Sequence, residues 1–125
     1  MHLAFQTEIE FDLPRGYVDD SGTLHRSGTM RLATAADEIL PMRDPRVQEN
    51  EAYLPVIVLA RVITRLGSVR DISTSVIEGL YAADLGYLED LYADFNRRLD
   101  AAEPTAPARP NGGHRLREIA ALGEA

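Results

Sequence analysis

Residues 5 to 13 alternate without a break. Phe5, Thr7, Ile9, Phe11 and Leu13 share one parity, and Gln6, Glu8, Glu10 and Asp12 share the other. Side chains of an extended chain point to opposite faces in turn, so this pattern predicts a strand with one apolar and one solvated face. Pro14-Arg15-Gly16 interrupts it, and Tyr17-Val18 resumes it. Asp19-Asp20-Ser21-Gly22 supplies turn-forming residues. Beyond them Leu24, Met30 and Leu32 share one parity, while His25, Ser27, Thr29 and Arg31 share the other. Residues 4 to 33 therefore read as a kinked β-hairpin. An isolated hairpin is marginal in water, so its apolar face needs a cover.

Near Thr34 the period changes from two to 3.6. Thr34 is a capping residue, and Asp37 and Glu38 fall in the first turn, where the helix dipole favours negative charge. Pro41 and Pro45 keep this helix short, and Asp44-Pro45 marks a second start with proline at the first helical position. A helix is expected from about Glu51 to Leu66, capped by Gly67. Between Leu54 and Leu66 its polar residues are Arg61, Thr64 and Arg65, so it is apolar on nearly every side and central to the fold or buried by another chain. A last long helix is expected from Ser73 to about Leu99. Ile77, Leu80, Tyr81, Leu88, Leu91, Tyr92, Phe95 and Leu99 recur there at three- and four-residue spacing. The two long helices should pack as an antiparallel hairpin. The expectation is thus an α+β fold: an N-terminal β-hairpin on a small helical domain dominated by a helix hairpin, over residues 1–102. Residues 103–113 read as a flexible proline- and glycine-containing linker. Residues 114–125 read as a tail in which Leu116, Ile119 and Ala120 fit one side of a short helix.

Composition narrows the function. A chain of 125 residues fits one domain. There are no cysteines, which removes disulfides, thiolate zinc sites and cysteine nucleophiles together. The longest apolar run, Leu54 to Ala60, falls well short of the roughly 18 residues a membrane span needs. The N-terminus lacks the charged and apolar regions of a signal peptide, so a cytoplasmic location is expected. All 13 basic residues other than histidine are arginines, they are scattered, and the net charge is −7. Such a surface repels nucleic acid. His2, His25 and His114 lack metal-pair spacing, and nucleophile-elbow, phosphate-loop and dinucleotide motifs are absent. No catalytic residue, cofactor or metal site is expected. Asp19-Asp20-Ser21-Gly22 lacks the alternating ligands of a calcium loop and reads as a turn.

Asp84 stands out, because it places a carboxylate within the apolar stripe. A buried charge is normally paired. Arg61 and Arg65 across the helix hairpin are the expected partners, with a backbone end or a polar anchor in a binding groove as alternatives. The surplus of Tyr87, Leu88, Leu91, Tyr92 and Phe95 on the same helix makes them candidate partner-binding residues. Tyr87, off the main stripe, is the best placed of them. Apolar surface on the two long helices is the expected docking face, for another protein or for a second copy.

A resemblance sharpens these expectations. Phe11-Asp12-Leu13-Pro14-Arg15-Gly16-Tyr17 is followed by Gly28-Thr29-Met30-Arg31-Leu32-Ala33-Thr34-Ala35-Ala36-Asp37-Glu38-Ile39, then Arg43-Asp44-Pro45-Arg46-Val47, Ala60 through Gly67, Ala83-Asp84-Leu85, Leu88 through Tyr92, and Asn96. This order, over about residues 5 to 98, resembles phage tail assembly chaperone-like proteins of Mu-like contractile tails, relatives of which occur beside bacterial contractile injection systems. The resemblance implies a non-catalytic assembly factor that binds the tape measure protein or tail tube subunits before polymerisation. The alternative is a permanent structural or adaptor subunit of a contractile particle. It offers no catalytic residues to carry over.

Overall fold

The computed structural model describes residues 6–97. The architecture is α+β, a three-stranded antiparallel sheet covered by short helices and one longer one. The expected linker at 103–113 and the tail at 114–125 lie outside the described residues.

Strand β1 (Glu8–Val18) pairs with β2 (Leu24–Arg31) as the hairpin expected from the alternation. Phe11, Leu13 and Met30 face the core, while Glu8, Glu10 and Asp12 face solvent. The kink is real. The register runs from Asp12 opposite Ser27 to Tyr17 opposite His25, so β1 spends three more residues than β2 over the same span. Gly16 sits there with φ 103°, a conformation that a side chain disfavours. Beyond the kink the expected parity of β2 fails: Leu24 is exposed and His25 is buried. The extra residues on β1 bulge and twist the hairpin, and that re-aims the side chains on either side.

Helix α1 (Ala35–Ile39) opens with a capping box between Thr34 and Asp37. After a 3-10 turn at Leu40–Arg43 comes α2 (Pro45–Glu49), capped by Asp44 with Pro45 in its first turn. Both starts fall where the capping residues place them.

The helix expected from Glu51 to Leu66 divides into three pieces. Glu51–Tyr53 is a 3-10 turn, Leu54–Val62 is helix α3, and Ile63–Leu66 is strand β3. Pro55 in the first turn of α3 accounts for the first division. The second follows from the open edge of β2: Ile63 turns extended, and β3 pairs with Met30, Thr29 and Gly28. A shift of register between Thr29 and Met30 keeps both Ile63 and Leu66 buried. Gly67 thus ends a strand rather than a helix, and its N–H donates to the Ser27 carbonyl at 2.8 Å.

The helix expected from Ser73 to Leu99 also divides, into α4 (Thr74–Glu78) and α5 (Ala82–Arg97), with Gly79-Leu80-Tyr81 between them. Helix α3 therefore contacts α1, α4, α5 and β3, and α5 packs on β1, in place of two long helices lying side by side. Leu54, Ile57, Val58, Leu59 and Val62 of α3 are all buried in this arrangement. The apolar surplus of α3 is consumed within the fold, contrary to the expectation that it would remain exposed for docking.

Candidate functional site

Polar side chains fix both ends of α5. At its N-terminus the Asp84 carboxylate, 0% exposed, accepts from the Arg15 N–H at 2.9 Å and the Gly16 N–H at 2.8 Å. The extended kink strips these amides of strand partners, and a carboxylate is a strong substitute acceptor. At the other end Asn96 accepts from the Ala33 N–H at 2.9 Å and donates to the Tyr92 carbonyl at 2.8 Å. The helix is thereby tied to the middle of β1 and to the link between β2 and α1.

Asp84 does not meet Arg61 or Arg65. Arg61 donates through Nε to Asp37 at 2.9 Å, and Arg65 donates weakly to the Thr29 and Ser27 hydroxyls at 3.3 and 3.5 Å. The division of the two long helices accounts for this, since no helix hairpin sets those positions across from one another. Of the expected alternatives, the carboxylate takes a backbone partner.

The second polar centre is Asp37, 1% exposed. It accepts from Arg31 Nη1 at 2.7 Å and Nη2 at 3.0 Å, from Arg61, and from the Thr34 N–H at 2.7 Å. The Arg31 guanidinium is the chief cause that holds the carboxyl below the usual aspartate range, against the opposing effect of burial. Beside it the Tyr92 hydroxyl donates to Glu38 at 2.5 Å, and burial first, then this carboxylate, raises the phenol above its ordinary value.

The turn at Asp19 is organised by its own carboxylate. Oδ1 accepts from the N–H groups of Ser21 and Thr23 and from the Ser21 hydroxyl, and Oδ2 meets His25 Nε2 at 2.8 Å. Every oxygen is engaged, as a structural turn requires. Among the described residues no group of three histidine, cysteine or acidic side chains is placed to hold a metal ion.

Leu88, Tyr92 and Phe95 are buried, and Tyr87 and Leu91 are half-buried against the same core. The five residues expected to form a docking face are thus mostly interior, because α5 turns that stripe onto β1 and α3. The exposed apolar surface lies elsewhere, at Ile39 and Leu40 where α1 ends and around the end of the hairpin. Pro14, Arg15, Val18, Leu24, Tyr81 and Ala83 line an open groove of about 680 Å³. Val18 and Leu24 are partners at the end of the hairpin, 48% and 52% exposed, and Tyr81 is 56% exposed. The Asp84 clamp creates this groove by drawing the start of α5 against the kinked hairpin. The sequence carried one signal for it: Val18 and Leu24 are apolar residues flanking a polar turn, where nothing local would cover them.

No helix among the described residues is long and apolar enough to cross a membrane. Comparison with family models, curated proteins and solved structures finds no match to this chain.

Proposed function

We propose that this protein is a non-catalytic assembly factor for a phage tail or a related contractile injection apparatus, acting in the cytoplasm before the tail polymerises. Its guest is the tape measure protein or a tail tube subunit, held through the groove of Pro14, Val18, Leu24, Tyr81 and Ala83 rather than through the buried stripe of α5. The observation that carries the reading is this groove. It gathers three of the five exposed large apolar side chains among the described residues, Val18, Leu24 and Tyr81, and a long helical guest can present a matching apolar face. The order of residues that resembles the tail chaperone-like family supports it from a second side. Arg15, Gly16, Arg31, Thr34, Asp37, Arg61, Asp84 and Asn96 all belong to that order: Arg15, Gly16, Asp84 and Asn96 take part in the bonds that tie down α5, and Arg31, Thr34, Asp37 and Arg61 make the polar centre that joins β2, α1 and α3. Their shared role in shaping the fold gives that order a physical reason.

The test is co-expression with a tail tube protein and a tape measure protein encoded beside this chain, followed by affinity capture. The wild-type chain should retain one of them. The double substitution Leu24→Asp and Tyr81→Asp should release it without lowering the melting temperature. Failure of a folded wild-type chain to retain either guest, or retention by the double variant, overturns the proposal. Recovery of the chain from finished particles in fixed stoichiometry would favour a permanent structural subunit instead.

A further inference from the structure

The sheet order β1-β2-β3 leaves one side of β1 without a strand among the described residues. The Leu32 N–H donates to the Thr7 carbonyl at 2.9 Å, and the register continues as Ile9 opposite Met30 and Phe11 opposite Gly28. Directly opposed residues that exchange hydrogen bonds alternate with pairs that do not. Thr7, Ile9 and Phe11 therefore turn their main-chain groups toward β2, and Glu8, Glu10 and Asp12 turn theirs outward. Two bonds agree with this phase. The Ser27 carbonyl, opposite Asp12, faces the far side and accepts from Gly67, and the Glu8 carbonyl is reached by the Gln6 side chain at 2.9 Å. The outward edge ends at the kink, where Asp84 takes the Arg15 and Gly16 N–H groups.

The same three residues present a row of exposed carboxylates, and among the described residues no arginine forms an ion pair with any of them. Nearby Arg31, opposite Glu8, is committed to Asp37. An unpaired edge is a template for a further strand, and the charges on it select what can be added. A second copy of β1 would set carboxylate against carboxylate, which disfavours pairing. A strand with arginine or lysine at every second position would place cations directly opposite Glu8, Glu10 and Asp12. Its intervening apolar side chains would extend the core beside half-buried Ile9.

We infer that the outer edge of β1, over residues 8 to 12, is a strand-addition site for an extended basic segment of another protein. It is distinct from the groove beyond the kink and does not depend on the function proposed for that groove. The incoming segment is short, because the kink closes the edge at one end, and it alternates basic with apolar residues. Main-chain bonds to Glu8, Glu10 and Asp12 hold it, and the carboxylates choose it over neutral or acidic strands.

The probe is a synthetic peptide alternating arginine and valine. It is compared with a peptide of the same composition in two blocks and with one methylated at the amide nitrogens of alternate residues. The alternating peptide should bind and slow amide exchange at Glu8, Glu10 and Asp12. The block peptide should bind about tenfold more weakly, as should the alternating peptide to the variant Glu8→Gln, Glu10→Gln, Asp12→Asn. Glu10→Pro removes an outward N–H that β2 does not use, so it should spare folding and abolish binding. Tyr81→Asp should leave binding unchanged. Equal binding of the block or methylated peptide would reduce the effect to charge alone and overturn the inference. So would absence of binding by the alternating peptide, or its loss in the Tyr81→Asp variant. Should Glu10→Pro fail to fold, the amide variant and the methylated peptide still decide the question.

Discussion

The Asp84 carboxylate and the Gly16 amide lie 2.8 Å apart across 68 positions of chain, and this contact joins the first turn of α5 to the kink of β1. Two consecutive N–H groups that the hairpin cannot pair find one acceptor. The bond does for the tertiary structure what a strand partner does for a regular sheet.

Asp84→Ala should therefore destabilise the protein by about 2–4 kcal/mol, because it leaves two amides without an acceptor in a closed site. Asp84→Asn keeps one acceptor oxygen and should lose less. Urea denaturation at neutral pH measures both. A loss under about 1 kcal/mol for the alanine variant would mean that water replaces the carboxylate at little cost.

Gly16 and Gly22 both have positive φ, at 103° and 87°, but their surroundings differ. A Cβ on Gly16 would meet Leu24 Cδ1 at 2.6 Å and Arg26 Cγ at 2.9 Å, whereas one on Gly22 would meet nothing within 4 Å. Gly22→Ala should cost about 1 kcal/mol from backbone strain alone, and Gly16→Ala about 1–2 kcal/mol more. Equal losses in thermal or urea unfolding would show that the kink relaxes around the added methyl.

Asp37 should contribute to acid sensitivity. Its carboxyl is held below the ordinary aspartate value, chiefly by Arg31, so the folded protein binds its proton less readily than the unfolded chain does. Its contribution is present above the unfolded value near pH 4 and is lost as pH falls toward the lowered folded value. Asp19 adds to the same window, its carboxyl lowered first by the His25 hydrogen bond and then by the turn amides. Asp37→Asn should lower stability at pH 7 and flatten the fall in stability below pH 4. Denaturant midpoints across pH 2–7 check this, and an unchanged acid limb in the variant would count against it.

Much of the fold was legible because local signals and tertiary demands agreed. The β1 alternation, the helix start at Thr34 and the Asp44-Pro45 start each lie where local pattern places them, and the reciprocal bonding of Asp37 to Thr34 emerges only in the structure. The failures share a cause in spacing. Ile63 and Leu66 are three apart, as on a helix face, yet a bulged strand also buries both. Nothing local separates these readings; the unfilled edge of β2 decides. Ile77 and Tyr81 likewise kept helical spacing across a break at Gly79. Asp84 was identifiable as a residue needing a partner, but the acceptor role toward Arg15 and Gly16 needed the kink to be known in three dimensions. The groove has no signature in the sequence as a unit, because Val18, Leu24 and Tyr81 become neighbours only after α5 docks.

The last expectation separates core from docking surface on adjoining elements. Leu88 is 1% exposed within the main core, whereas Tyr81, just ahead of the same helix, is 56% exposed. Leu88→Ala removes buried methyl groups and leaves a cavity that neighbours fill incompletely, so it should cost about 2–5 kcal/mol. Tyr81→Ala removes a ring that lies mostly in water, and stability should stay within about 0.5 kcal/mol of wild type. Guest capture should respond in the opposite order. Tyr81→Ala should weaken it in a fully folded protein, while Leu88→Ala should leave it intact under conditions where the variant remains folded. Thermal unfolding and capture, measured on the same preparations, distinguish the two residues. Loss of capture in folded Leu88→Ala with full capture by Tyr81→Ala would return the docking face to α5.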